Sequence, residues 1–181
     1  MRARLRFFSV LAALLCGISA GASADTKGAL VKYALAMAAV HSYHADMQTD
    51  RGTIGMDVVG PGRYHMTMPS GPEVIVIESD MWVKMGGNWT KLPGHMPNME
   101  AMIARARAAN PPADVDKNFT ISDLGMVDGL HAYTLQRKSE DSVVTLYLRG
   151  DSLPAKIVSV SNGKTATILY SNYDHVSVSP P

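Results

Sequence analysis

The chain has 181 residues, 46% apolar and 18% charged, with 17 basic against 16 acidic side chains and a single cysteine. That length holds one domain with a sizeable core and hardly two, and the near-neutral balance excludes the basic footprint of a nucleic-acid binder. One cysteine excludes a disulfide framework.

Taken from its start, the chain shows Arg2, Arg4 and Arg6, then the apolar run 7–15, then small residues ending in Ala22-Ser23-Ala24. This is the three-part layout of a cleavable signal peptide. It predicts a leader over 1–24, cleavage between Ala24 and Asp25, and a single mature domain over 25–181 that works in the periplasm or at the cell exterior. The apolar run is too short to span a bilayer. A lipid anchor at Cys16 is the alternative, but Leu15 stands where lipoprotein processing wants a small residue. Loss of the leader removes three arginines, no acid and the only cysteine, so the net charge falls from +1 to about −2.

Over 27–41, Leu30, Tyr33, Ala34, Met37 and Val40 recur at spacings of three and four, which predicts an amphipathic helix. From Ser42 the period becomes two. Tyr43, Ala45 and Met47 alternate with His44, Asp46 and Gln48; Ile54, Met56 and Val58 with Thr53, Gly55 and Asp57; Tyr64, Met66 and Met68 with Arg63, His65 and Thr67. The breaks Asp50-Arg51-Gly52 and Gly60-Pro61-Gly62 are short, so these strands are expected to pair as antiparallel hairpins.

Further strands are predicted over 73–78, 81–85 and 89–92, and the run Val74-Ile75-Val76-Ile77, apolar on both faces, fits a central strand. Residues 98–109 form a second predicted helix that Asn110-Pro111-Pro112 ends. Strand patterning returns over 119–123, 129–136, 143–149, 155–161 and 165–171. The expected fold is α+β. About eleven strands form a strongly curved antiparallel sheet, an unclosed barrel covered by the N-terminal helix and the helical insertion as a lid.

The apolar face of that sheet is rich in methionine. Met47, Met56, Met66 and Met68 fall on the side of Ile54, Val58 and Tyr64, while Met37, Met99 and Met102 come from the helices. Methionine is flexible and polarizable, which suits a lining that takes varied apolar shapes. From composition alone, the plainer alternative of an irregular dry core ranks ahead.

The phrase Gly87-Asn88-Trp89-Thr90-Lys91-Leu92-Pro93, the helical insertion, and a tail running Leu153-Pro154-Ala155-Lys156-Ile157 to Tyr170-Ser171-Asn172-Tyr173 resemble the LolA-like superfamily. That superfamily includes periplasmic outer-membrane lipoprotein carriers and related lipid-binding proteins, with an unclosed barrel and a helical lid over a hydrophobic cavity. The resemblance implies non-covalent binding of a lipid, an acyl chain or an acylated protein, with a membrane-bound donor or acceptor as a further partner, and no cofactor. If the apolar face set by the alternation and the helix stripes lines such a cavity, its ligand-facing residues are Met37, Met47, Met56, Tyr64, Met66, Met68, Met99, Met102 and Ile103.

Two other expectations belong beside it. His95, Met96, Met99 and Met102 bring imidazole and thioethers together, ligands that suit Cu(I), although Met99 and Met102 also mark the apolar side of the predicted helix. A sheet edge or convex face that binds a protein partner, over a filled interior, is the third expectation. Enzyme signatures are missing: there is no Gly-x-Ser-x-Gly elbow, no phosphate-cradling glycine loop, and no cysteine beyond the leader. His41, His44, His65, His131 and His175 are scattered without metal-site spacing.

Overall fold

The computed structural model describes residues 24–60, 62–93, 119–138 and 141–181, for 24 and 25 the backbone alone. The predicted leader over 1–23 and the predicted helix 98–109 lie outside them. Among the described residues the order is one helix, α1 (Ala24–Ala39), then eleven strands. These are β1 (Ser42–Thr49), β2 (Gly52–Val59), β3 (Arg63–Thr67), β4 (Glu73–Ile77), β5 (Asp80–Met85), β6 (Asn88–Leu92), β7 (Phe119–Val127), β8 (Leu130–Arg137), β9 (Ser142–Leu148), β10 (Pro154–Ser161) and β11 (Lys164–Ser171). Their order in the sheet is β6-β5-β4-β3-β2-β1-β11-β10-β9-β8-β7, so the sheet has two ends and is not closed. Every predicted strand is present.

The differences in boundary have local causes. The helix stops at Ala39 rather than at residue 41, because the Asp174 carboxylate accepts the backbone N–H groups of His41 (2.6 Å) and Ser42 (3.3 Å) and draws them into extended chain. Strand β3 ends at Thr67. Met68 instead opens a tight turn in which its N–H donates to the Pro72 carbonyl at 3.0 Å. Strand β7 runs four residues past its predicted end through a bulge between Asp123 and Gly125, where Gly125 takes φ 71° and donates its N–H to the Asp123 carboxylate at 2.7 Å. A bulge shifts the alternation by one residue, which hides the continuation from a period-two pattern.

The chain divides into two compact units, residues 1–39 with 101–163 and residues 40–100 with 164–181. In the first unit β7 to β10 form an antiparallel meander, with Asp128 and Gly129 both at positive φ (51° and 78°) in the two-residue turn between β7 and β8. Two positive φ angles make this the primed turn whose twist matches a hairpin. One face carries Tyr133, Leu146 and Ile157 in a cross-strand row and Leu135 with Val144 in the next, all buried. The buried positions of α1 are Thr26, Leu30 and Tyr33, the core stripe at helical spacing, while Val31 and Leu35 on its other side are exposed.

In the second unit β1 to β6 form a meander and β11 pairs antiparallel with β1 on its far side. Register places Val58 opposite Tyr64 and Tyr64 opposite Val76, three buried side chains in one row across β2, β3 and β4. Gly52 is required where it stands: it has φ 112°, and a Cβ there would lie 2.7 Å from the Pro69 Cβ.

Candidate functional site

In the second unit the apolar side chains converge as the alternation predicts. Around the Val58, Tyr64 and Val76 row pack Tyr43, Met56, Val74 and Met81, each only partly buried. Met56 stands directly opposite Met66, and Met47 opposite Ile54. Met47, Met56, Tyr64 and Met66 therefore share one face of the sheet. Met37 lies half-buried in α1 of the first unit, and Met68 is half-buried in the turn after β3. Met99, Met102 and Ile103 lie outside the described residues, as do His95 and Met96 of the soft-metal set. Burial pushes the Tyr43 phenol up to about 12, with Tyr64 adding to the effect, so this end of the face holds an uncharged hydroxyl in an apolar setting.

Met81 and Val74 belong to the same surface and sequence reasoning did not single them out. The cause is the run Val74 to Ile77, whose residues look alike on both faces and so give no phase; pairing supplies it, with Val74 opposite Met66 and Met81 opposite Val76.

The opposite face of the same strands is polar and highly ordered. His44 meets Asp57 through Nδ1 at 2.6 Å and Asp46 through Nε2 at 3.2 Å. His65 meets Asp57 through Nδ1 at 3.5 Å and Glu73 through Nε2 at 3.2 Å, and the Lys84 ammonium donates to Glu73 at 2.8 Å. Carboxylate and base thus alternate from β1 to β5. A neutral imidazole has one N–H and one lone pair, so His44, with both ring nitrogens against carboxylates, fits best as imidazolium. Burial alone would lower the His44 pKa, but its hydrogen bonds to Asp57 and Asp46 outweigh that and hold it above its ordinary 6.5. Hydrogen bonds from Lys84 and His65 hold Glu73 below its ordinary 4.5.

Gly55 keeps this row open: a Cβ there would lie 2.9 Å from the Thr67 hydroxyl and 3.5 Å from an Asp46 oxygen. The two tryptophans flank the row's far end, Trp89 with Lys84 over its ring and Trp82 with Lys91 over its ring, at 5.6 and 5.2 Å. No cluster of three or more histidine, cysteine or acidic side chains that could hold a metal is found among the described residues.

The first unit contains a cleft of about 520 Å³ lined by Gly28, Ala29 and Lys32 of α1, by Met126, Gly129, His131 and Tyr133 of the β7–β8 hairpin, and by Leu148, Arg149, Gly150 and Ser152 at the start of the β9–β10 turn. It is unlike the methionine face in mixing the apolar Ala29, Met126, Tyr133 and Leu148 with the polar Lys32, His131, Arg149 and Ser152. No pattern in the sequence pointed to it, since it is assembled from three separate stretches of chain.

No protein-family model matches the chain, and no curated protein matches it. Among solved structures it is similar to the Mycobacterium tuberculosis lipoprotein LppX, with a TM-score of 0.61 at 12% identity, over 87% of this chain and 100% of LppX. It is similar also to LprF from Mycobacterium bovis, with a TM-score of 0.60 at 16% identity, over 90% of this chain and 99% of LprF. At such identities the likeness is one of fold, and the sheet is the unclosed antiparallel one that the sequence predicts. No described helix is long and apolar enough to cross a membrane.

Proposed function

We propose that this chain is a carrier or binding protein for a lipid, an acyl chain or an acylated protein, exported to the periplasm through the leader 1–24 and binding without covalent chemistry. One observation carries the proposal. The apolar face of the second unit is built around flexible side chains, Met47, Met56, Met66 and Met81, that are only partly covered. A face that ends in half-covered thioethers is suited to adapt to a ligand's shape, where rotamer-locked aliphatics would not. The fold shared with the lipoprotein LppX supports this reading.

The remaining members of the proposed ligand-facing set are Tyr64 on the same face, Met37 and Met68, and, from the insertion, Met99, Met102 and Ile103. Affinity follows from transfer of methylenes out of water, about 0.8 kcal/mol for each one buried. A membrane-bound donor or acceptor is the natural partner for such a carrier.

Native mass spectrometry of the protein recovered from its own envelope tests both halves at once. The expected mass is that of residues 25–181 with a non-covalent lipid adduct that collisional activation removes. A chain that keeps an acylated Cys16 defeats the soluble-carrier assignment. A bare chain that also fails to bind several acyl probes defeats lipid binding.

A further inference from the structure

The main row of the methionine face begins in a polar group that no neighbour satisfies. Register sets Tyr43 opposite Val58, Val58 opposite Tyr64, Tyr64 opposite Val76, Val76 opposite Met81 and Met81 opposite Leu92, so one line of side chains crosses β1 to β6. The polar atoms of this line are two phenol hydroxyls. That of Tyr64 accepts the Gly62 N–H at 3.4 Å. That of Tyr43 has no hydrogen bond among the described residues, and its ring lies against those of Tyr170 and Tyr173, with centres 5.7 and 6.3 Å away. A phenol taken out of water normally finds a partner, and phenylalanine would supply the same ring without the unpaired group. Tyr43 is nonetheless only partly buried, so the side chain is open to a ligand on the face.

The charges of these strands narrow what that ligand can bring. By register every Asp, Glu, Lys, Arg and His of β1 to β6 falls on the opposite face, from His44 and Asp46 on β1 to Lys91 on β6. A carboxylate or phosphate drawn in among the methionines would give up its water and meet no cation of these strands. A carbonyl oxygen loses far less on leaving water and needs a single donor. Burial pushes the Tyr43 pKa up to about 12, so the phenol keeps its proton and remains such a donor at neutral pH.

We propose that Tyr43 determines specificity on the methionine face: its hydroxyl donates to the uncharged carbonyl oxygen of an acyl ester or amide, and the face disfavours a free carboxylate. This rests on the carrier reading and adds to it which polar group of the amphiphile is read, and by what.

The test uses the mature chain, a fluorescent acyl probe, and displacement of that probe by methyl laurate, N-methyl lauramide and laurate. At neutral pH the tighter of the ester and the amide should bind about tenfold or more better than laurate, whose ionised head finds no counter-charge. Laurate should gain affinity as pH falls through its own titration, while the ester does not. Tyr43→Phe should weaken the ester and the amide by about three- to tenfold, the worth of one neutral hydrogen bond. It should also leave the melting temperature equal or raised, because the hydroxyl it removes has no partner to lose, whereas loss of a merely structural tyrosine would lower it. In the infrared, the stretch of an isotope-labelled ester carbonyl should move to lower frequency on binding to the unaltered protein and not on binding to Tyr43→Phe. Binding and stretch that are the same in both proteins, or laurate bound as tightly as the ester and the amide at neutral pH, overturn the inference while leaving the carrier proposal standing. If the unaltered protein does not bind the acyl probe, the carrier proposal fails and this inference with it.

Discussion

The two units bury apolar surface in different ways. In the first, the row Tyr133, Leu146 and Ile157 is closed to solvent, with Leu146 at 0% and Ile157 at 2% exposure. In the second, the buried row Val58, Tyr64 and Val76 is extended by Met81 and flanked by Met56 and Met66 of the next row, and these three methionines remain partly exposed. Branched aliphatics have few rotamers and fill a fixed volume, whereas methionine has three soft torsions and fits a volume that changes. The contrast separates a closed core from a face whose methionines stay partly exposed.

The largest effect expected from this contrast is in the finished core. Leu146→Ala removes a fully buried side chain from between Tyr133 and Ile157 and should cost about 2–5 kcal/mol, measured by urea unfolding of the mature chain. A loss under about 1 kcal/mol would mean that the first unit is as yielding as the second, and the contrast would disappear.

A smaller effect on stability and a large one on binding are expected from Met66→Trp. If the methionine face is an adaptable lining, the indole occupies ligand space, stability changes by less than about 1 kcal/mol, and a fluorescent fatty-acid probe bound by the unaltered protein is displaced. If the face is packed solid, the same change costs about 1–3 kcal/mol and the unaltered protein binds no probe. Melting curves and probe titration of both proteins separate the two.

Much of this was legible in the chain. The alternation of Tyr43, Ala45 and Met47, then Ile54, Met56 and Val58, gave the face of each residue. The short breaks at Asp50 to Gly52 and Gly60 to Gly62 gave the pairing, so that counting outward from them sets His44 opposite Asp57 and Asp57 opposite His65. The polar row is therefore legible across the hairpins, although spacing along the chain, by which a metal motif is read, does not reveal it. Other features had no local signal. Pairing of β1 with β11 joins segments more than a hundred residues apart, where period-two patterns specify a face but not a neighbour. The first unit's cleft needs a helix and two hairpin turns brought together, and Gly28 reads in sequence only as a flaw in a helix.

The smallest expected effect concerns the polar face of the second unit, and its sign follows from the two shifted groups. The folded pKa of His44 is raised, so its contribution is complete below its unfolded value of 6.5 and is lost as pH rises through the folded value. That of Glu73 is lowered, so its contribution is complete above 4.5 and is lost as pH falls through the folded value. Between pH 4.5 and 6.5 both contributions are fully present. The melting temperature should therefore carry a shoulder on the alkaline side of this window that His44→Gln abolishes, because an amide does not titrate. NMR titration of the His44 ring should place its midpoint above 6.5. A midpoint at or below that value would mean that desolvation outweighs Asp57 and Asp46. His44 would then stand uncharged between its two carboxylates at neutral pH, and the alkaline shoulder would be absent.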